Sequence, residues 1–400
     1  MTILRTFTLL LSLLLTAMPA LAQDQKPQPY NPKKTYKEIK SLQKDEKFSQ
    51  VIQTIDKAQK QYPEALADTR LIQAAAHAQF KVAQEHAKSI YLNSKPDTSA
   101  YFNAILQQHI QALRLDSCVA ASSNPKASKL ITKNLKKELT QTHQNLIPAA
   151  RYYNKKQQPR QAWTFLDTYL DTPNTLLNLT PLTPIFLDTT TIATQATIAA
   201  YQANMPSQTL KYIQPALRNT DTLQLALLLQ IKAETHQALN QPQLCTEAIK
   251  QGYKRFPQNT YFHNALIQHY TQTNQIDSAT LVAHHVAQRL PASPQAHLIY
   301  GNMLQRQNQL SQAVEQYNIA AQLAPKDSII QHTLGNAYIQ LARETPTQRK
   351  QYYQLARTAF EQTQQLAPSK PELWYQPLRE VYFKLNLGKQ LKKLEAAGKK

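Results

Sequence analysis

Proline recurs at a fixed interval in the C-terminal part of this 400-residue chain. Successive prolines are 34 residues apart, and positions counted back from each one hold residues of a constant type. The prolines are Pro257, Pro291 and Pro325, with Cys245, Ala279 and Ala313 twelve residues before them and Ile249, Ala283 and Tyr317 eight before. A fixed period of this size is typical of repeat arrays. Each unit predicts two antiparallel helices, because small residues let helix axes approach and proline cannot continue a helix.

The composition favours helices and excludes several other folds. The chain has only five glycines, and they stand apart from one another. A glycine-rich phosphate-binding loop needs clustered glycines, and an all-β sandwich or barrel needs frequent turn glycines. Hydrophobic residues make up 42% of the chain, which is enough for a sizeable core. We therefore predict an all-α fold.

The best-defined unit begins at Ser293-Pro294 and ends at Pro325. It carries Tyr300-Gly301, Ala313, Tyr317, Ala320 and Pro325. These residue types at this spacing resemble the tetratricopeptide repeat (TPR) family. The resemblance implies an α-α superhelical solenoid of antiparallel helix pairs, in which the first helix of each pair lines a concave face. It also implies a scaffold for protein–protein interaction without an active site of its own.

One repeat departs from the 34-residue period. The interval from Pro325 to Pro368 is 43 residues, nine more than in the other units. The excess falls within 339–355, around Glu344-Thr345-Pro346. We predict that it lengthens both helices of this pair by about one turn. The extension is either a partner contact or a tolerated insertion.

The N-terminus has the pattern of a secretory signal peptide. Arg5 precedes an apolar run, and Ala20-Leu21-Ala22 resembles a signal peptidase site. We predict cleavage after Ala22 and export, with a periplasmic location. The residue directly after the predicted cleavage site is not a cysteine, so the chain is not expected to be a lipoprotein. Cys118 and Cys245 lie outside any Cys-x-x-Cys motif, and the sequence does not decide whether they are bonded.

These signals divide the chain into five segments. We predict a signal peptide at 1–22, a flexible N-terminal segment at 23–33, degenerate TPR-like repeats at 34–225, clear TPR repeats at 226–392 and a basic tail at 393–400. In the degenerate part, the repeat boundaries within 93–130 and 172–188 stay undefined by the sequence.

The chain is strongly basic, with a formal net charge of +20. This charge favours an acidic partner, and export argues against nucleic acid. The charge is concentrated between 126 and 160, where nine basic residues accompany one acidic residue, Glu138. Lys129, Lys133 and Lys137 fall at helical spacing on one side. The run either docks an acidic protein or an anionic envelope surface, or is a solvated basic face.

The sequence contains no recognised catalytic, metal-binding or cofactor-binding motif. His-Glu-x-x-His, Gly-x-Ser-x-Gly, Cys-x-x-Cys and EF-hand patterns are all absent. Neighbouring His284 and His285 would point about 100° apart on a helix, which does not suit a shared metal. We therefore expect neither an enzyme nor a bound cofactor.

A possible partner site lies on the first helices of the repeats. Asn302 and Asn336 each follow the motif glycine, and Arg306 lies one turn after Asn302. Similar amide and basic side chains clamp a peptide carboxylate in some members of the family, although a neighbouring lysine is missing here. The alternative is that asparagine after glycine is a common surface residue of the repeat.

We expect a non-catalytic exported scaffold that binds a protein or peptide partner in the bacterial cell envelope. The alternative is a binder of glycan, peptidoglycan or other anionic envelope ligands, which would need aromatic rings facing the groove. The 20 tyrosines allow this, although several occupy motif positions where they should pack inside the repeats.

Overall fold

The computed structural model describes residues 30–122, 129, 132–172, 189–219 and 221–397. All the secondary structure in these residues is α-helical or 3₁₀-helical, and none of it is a strand. The predicted all-α fold of antiparallel helix pairs is therefore confirmed. The described residues fall into two compact units: unit 1 includes 30–122, 129, 132–146 and 171–172, and unit 2 includes 147–170, 189–219 and 221–397. The predicted signal peptide lies outside the described residues.

The described residues of unit 1 form five α-helices, each packed on its neighbours, and a short 3₁₀ helix at Pro63–Leu66. The α-helices are α1 Pro32–Lys44, α2 Phe48–Gln61, α3 Thr69–Tyr91, α4 Thr98–Ala120 and α5 Lys133–His143. Asp68, Asp97 and Thr132 accept hydrogen bonds from backbone amides at the starts of α3, α4 and α5, which satisfies donors that a helix leaves unpaired. The α3/α4 pair is longer than any pair of unit 2 and encloses a core that includes Ile72 and Leu115.

Unit 2 is a stack of helix pairs. Its first helices are α6 Leu146–Lys155, α7 Pro159–Asp171, α8 Thr189–Gln202, α9 Pro206–Lys211, α10 Ile213–Ala216, α11 Thr222–Ala238 and α12 Pro242–Arg255. Then follow α13 Thr260–Gln272, α14 Ile276–Arg289, α15 Pro294–Arg306, α16 Leu310–Leu323, α17 Ser328–Glu344, α18 Arg349–Leu366, α19 Tyr375–Lys384 and α20 Gly388–Ala397. From α11 onward, odd-numbered helices open a pair and even-numbered helices close it.

The predicted extension lies in the α17/α18 pair. These helices have 17 and 18 residues, whereas α15 and α16 have 13 and 14. Each is therefore one turn longer, with a short 3₁₀ segment, Pro346–Gln348, between them.

Small residues fit against large ones within each pair. Gly301 of α15 faces Tyr317 of α16, and a Cβ built on Gly301 would lie 2.5 Å from the tyrosine Cε1. Gly335 of α17 faces Phe360 of α18 in the same way. Ala313 and Tyr317 are both fully buried. The motif residues Gly301 and Ala313 are thus packing residues, as their spacing predicts.

The turns inside the α11/α12, α13/α14 and α15/α16 pairs each use an asparagine in the left-handed conformation. Asn240, Asn274 and Asn308 have φ of 56°, 57° and 59°. The amide of the following residue bonds back to the helix, as between Gln309 N and Leu304 O at 3.0 Å. This 6→1 bond is the Schellman helix end, and asparagine tolerates it better than most residues.

We expect Asn308→Val to destabilise unit 2 by about 1–2 kcal/mol, because a β-branched side chain strains the left-handed backbone. Asn308→Gly should change the free energy of unfolding by no more than a few tenths of a kcal/mol. Urea titration followed by circular dichroism measures both variants. A glycine variant as unstable as the valine variant would contradict the assigned role of the backbone conformation.

Candidate functional site

The first helices of successive pairs in unit 2 lie side by side. Gln305 Nε2 of α15 donates to Gln340 Oε1 of α17 at 2.6 Å. Arg343 Nη2 of α17 donates to Glu380 Oε1 of α19 at 2.7 Å. Thr271 of α13 reaches the sulfur of Met303 on α15 at 3.8 Å. We use the term first-helix face for the exposed sides of α11, α13, α15, α17 and α19.

Amide side chains form a row along this face. Gln268, Asn302 and Asn336 are exposed and occupy equivalent positions of α13, α15 and α17, 34 residues apart. Gln272 and Gln340 lie four residues after the first and third of them. Each amide has two N–H donors and a carbonyl acceptor. The row can therefore bind groups that both donate and accept hydrogen bonds, without adding charge.

Asn302 and Arg306 are both exposed on α15, one turn apart. The Tyr317 hydroxyl lies 2.8 Å from Asn302 Oδ1 and donates to it. This bond fixes the amide and leaves its NH₂ group available to a ligand. The Arg306 guanidinium forms no ion pair in the described part of the chain, so it is the cation that an anionic group on this part of the face would meet.

Asn336 is held differently from Asn302. Its Nδ2 lies 2.8 Å from Nε2 of His332, and Nδ1 of His332 lies 2.5 Å from the carbonyl oxygen of Leu373. The Nδ1–H therefore donates to the carbonyl, and Nε2 accepts from Asn336. One donor of Asn336 is thus used within the protein. Asn302 and Arg306 are the better placed donors for the predicted carboxylate clamp, which stays a prediction.

A groove of about 750 Å³ continues the face between α17, α19 and α20. Phe383 forms an apolar wall and is 67% exposed, an unusual position for an aromatic ring. Two ion pairs border it: Arg343–Glu380 at 2.7 Å and Arg379–Glu395 at 3.1 Å. The hydrogen bond that Arg343 donates to the Glu380 carboxylate raises the pKa of the guanidinium. The groove can hold an apolar side chain inside a charged rim.

Two kinds of reactive group, metal ligands and cysteine thiols, can be located in the described residues. No group of three or more His, Cys, Asp or Glu side chains there could hold a metal ion. Cys118 and Cys245 are free thiols. Burial, followed by the charge of Glu234, raises the pKa of the Cys245 thiol, which disfavours the nucleophilic thiolate.

The basic run is divided between the two units. Lys133 and Lys137 are exposed on α5 of unit 1, on the side away from buried Leu135 and Leu139. Lys129 is exposed as well, whereas Lys126 lies outside the described residues. Lys136 lies on α5 as well and is partly exposed. The remaining basic residues belong to unit 2 and are Arg151, Lys155, Lys156 and Arg160. The predicted role of the lysines in partner binding stays a prediction.

Glu234 and Phe383 also belong to the first-helix face, and the repeat register could have identified both residues from the sequence. Counting back in steps of 34 from Asn302 reaches Gln268 and then Glu234. Counting forward 43 residues from Gln340 reaches Phe383. The repeat register thus predicts which residues share the face once every equivalent position is compared, rather than asparagine positions alone.

No protein-family model matches the chain, and no curated protein matches it. The solved structures similar to it include three helical repeat proteins. MamA from Desulfovibrio magneticus RS-1 is 17% identical with a TM-score of 0.35, covering 46% of this chain and 97% of its own. The C-terminal part of a TPR repeat-containing protein from Cytophaga hutchinsonii is 10% identical with a TM-score of 0.45, covering 63% and 92%. YrrB, titled a TPR protein with an unusual peptide-binding site, is 15% identical with a TM-score of 0.35, covering 52% and 98%.

These likenesses are distant, and the repeat type is decided by the helix pairs themselves. The α11/α12, α13/α14 and α15/α16 pairs keep the 34-residue period, the buried motif residues and the asparagine turn described above. The fold is that of tetratricopeptide repeats. No helix of the described part is long and apolar enough to cross a membrane.

Proposed function

We propose that this protein is a non-catalytic scaffold whose first-helix face binds an extended peptide segment of a protein partner. The observation that carries the proposal is the row of exposed amides on α13, α15 and α17, which continues into the groove beside Phe383. The predicted leader places this scaffold in the cell envelope of a bacterium, after export.

The amide row fits the backbone of an extended peptide. A peptide backbone offers alternating N–H and C=O groups, and each must find a partner when it leaves water. Gln268, Asn302 and Asn336 supply both kinds of partner without requiring a particular ligand side chain. Backbone contacts therefore give affinity, and the few distinctive side chains of the face give specificity.

Phe383 is the strongest candidate for an anchor on this face. Its ring is 67% exposed and stands in the groove, so a ligand side chain packed on it would remove apolar surface from water. Aromatic residues of this kind commonly dominate the binding energy of an interface. Arg306 favours an acidic group nearby, consistent with the acidic partner that the net charge of +20 favours.

A glycan ligand has less support from the geometry. Tyr317 is fully buried and Tyr338 is 8% exposed, so these motif tyrosines are unavailable as stacking platforms. Binding to peptidoglycan sacculi, without selection of any peptide, would nevertheless replace the peptide proposal with the glycan one.

The test is selection of binders from a random dodecapeptide library, followed by calorimetric titration of the selected peptide. Phe383→Ala should weaken that peptide about tenfold or more, because truncating an aromatic anchor removes more than about 1.4 kcal/mol. The matched control is Leu281→Ala on α14, a residue 55% exposed on a second helix. It should leave affinity unchanged. Equal effects of the two substitutions, or no selected peptide at all, would contradict the proposal.

A further inference from the structure

A single carboxylate stands on the α11 part of the first-helix face. Glu234 is partly buried and lies between α8 and α13. The Tyr201 hydroxyl of α8 donates to its Oε2, and Gln230 Nε2 donates to its Oε1 at 3.0 Å. Tyr261 of α13 is close enough that, after burial, the charge of Glu234 raises the pKa of its hydroxyl. The carboxylate is therefore held by neutral groups beside two aromatic rings.

A pocket of about 330 Å³ opens beside this carboxylate. Its walls come from α11, α12 and α13 and include Gln237, Cys245, Tyr261 and Gln272. His269 also lines the pocket, and burial together with nearby Lys250 lowers its pKa. His269 is therefore neutral at pH 7. Glu234 is the one ionised side chain among the described residues that line the pocket.

The charge of Glu234 has no cationic partner in the described part of the chain. This is unexpected in a protein with 45 Lys and Arg against 25 Asp and Glu. A carboxylate offers about four lone-pair positions, and the donors Tyr201, Gln230 and Tyr261 use only part of them. Glu234 also lines a pocket large enough for a side chain, and the ring of Tyr261 in the pocket wall attracts cations.

We propose that this pocket binds the guanidinium or ammonium side chain of a basic residue in the bound peptide. The proposal rests on the proposed function, because the pocket belongs to the same face. An arginine would donate to the free oxygen positions of Glu234 and stack against tyrosine, while its aliphatic stem would occupy the pocket between α11, α12 and α13. The amide neighbours Gln237 and Gln272 complete the polar rim.

The register of the face predicts where the basic residue stands in the peptide. Glu234, Gln268 and Asn302 occupy equivalent positions of three successive first helices. Neighbouring helix axes are roughly 8–10 Å apart, so Glu234 and the Asn302/Arg306 site are separated by about 16–20 Å. An extended peptide spans about 3.3 Å per residue. The peptide should therefore carry a basic residue about five or six positions from an acidic residue that meets Arg306.

The experiment uses the full chain without its leader and a library of dodecapeptides blocked by N-acetylation and C-amidation. Blocking removes terminal charges, so only side chains can supply a cation. Selection should enrich arginine or lysine at one position by about fivefold or more over the input, as a fixed carboxylate favours a cation. Glu234→Gln should abolish that enrichment, and the selected peptide should bind this variant about tenfold more weakly.

Two further variants make the result specific. Glu247→Gln removes the same charge from an exposed position on α12, away from the pocket lining, and should preserve the enrichment. Glu234→Lys should reverse the preference at that position to aspartate or glutamate. Circular dichroism and the unfolding temperature establish that each variant is folded.

The outcomes separate this proposal from the proposed function. Peptides that bind wild type without a preferred basic position, or with a preference that Glu234→Gln retains, would overturn the cation pocket and leave the peptide-binding face standing. Failure of wild type to select any peptide would overturn both. If binding appeared only when the selection was repeated with peptides that have a free N-terminal ammonium, the assignment to a side chain would also be overturned.

Discussion

Replacing Tyr317 with alanine should lower the free energy of unfolding by about 3–5 kcal/mol, the usual cost of removing a buried aromatic side chain. Tyr317 is fully buried in the core that joins α15, α16 and α17. Its ring rests on Gly301, where no side chain exists to fill the space that alanine would leave. The helices can close this cavity only by shifting against each other. Urea titration followed by circular dichroism gives the loss directly.

Tyr317→Phe is the matched control for this prediction. It keeps the ring and removes the hydroxyl, which lies 2.8 Å from both Asn302 Oδ1 and Gln305 Oε1. Because Asn302 is exposed and Gln305 is partly exposed, water can replace the lost donor, and the cost should be about 1 kcal/mol or less. If Tyr317→Ala lowered the free energy of unfolding no more than Tyr317→Phe, the prediction that the ring fills the space between α15 and α16 would be contradicted.

The repeat could be predicted from the sequence because helix packing requires compensation in size. Two buried positions sixteen residues apart lie opposite each other in a helix pair, and their sizes compensate. One repeat has the large Ile267 opposite the small Ala283, and the next has the small Gly301 opposite the large Tyr317. Such pairs keep the volume between two helices nearly constant. A pattern of paired positions is visible in one sequence, and it indicates the register of α13 to α16; in the longer α17/α18 pair, Gly335 and Phe360 take these positions 25 residues apart.

The degenerate part of the chain was harder to predict in detail. Apolar residues recur at three- and four-residue spacing within the helices at 69–91 and 98–120, as is typical of helices packed on one face. Their 23-residue lengths and the separation of α5 from any 34-residue pair were not expected. Without a proline or glycine at a fixed interval, hydrophobic periodicity gives the type of an element but leaves its ends open.

The candidate site was predicted only in part. Asn302, Arg306 and Asn336 do share one face, yet which amide donor is free depends on contacts from other helices. Tyr317 accounts for the orientation of Asn302, and His332 for that of Asn336. Phe383 lies beyond the insertion, where the 34-residue count fails and a 43-residue step is needed. Partners brought together by tertiary packing have no signature in local spacing.

A buried pair of histidines should make unit 1 sensitive to acid. His109 of α4 is fully buried, and its ring centroid lies 5.4 Å from that of His143 in α5. Thr142 donates to Gln108 Oε1 at 2.8 Å, so its oxygen accepts from Nε2–H of His109 at 3.1 Å. Nδ1 of His109 has no hydrogen-bond partner. The site therefore holds a neutral imidazole and offers a second ring proton no acceptor.

Both histidines resist protonation in the folded protein. Burial, and then the neighbouring His143, lowers the pKa of His109 well below its usual value of 6.5. Burial lowers the pKa of His143 to about 4. The nearby carboxylate of Glu138 on α5 does not offset this, because it lies 2.8 Å from His77 of α3 and pairs with that ring. Asp116 of α4 is the other buried acid of this unit.

Because the pKa values of His109 and His143 are lowered in the folded state, unit 1 loses stability as the pH falls. In the unfolded chain both histidines bind protons near pH 6.5. In the folded chain the pKa of His109 is well below that value and the pKa of His143 is about 4, so acid favours unfolding. Stability is complete above about pH 6.5 and falls by up to about 1.4 kcal/mol per pH unit for each histidine as the pH drops. Between pH 7 and pH 5, His109 alone should account for about 2 kcal/mol of lost stability.

The measurement compares urea unfolding at pH 7 and pH 5 for wild type and His109→Gln. Glutamine can still donate to Thr142 but cannot become charged, so the loss on acidification should shrink by about 2 kcal/mol. His86→Gln is the control, since it removes a partly exposed histidine from α3 of the same unit; its acid sensitivity should match wild type. If His109→Gln lost as much unfolding free energy between pH 7 and pH 5 as wild type, the prediction would be contradicted. The α4–α5 contact would then tolerate the charged ring of His109.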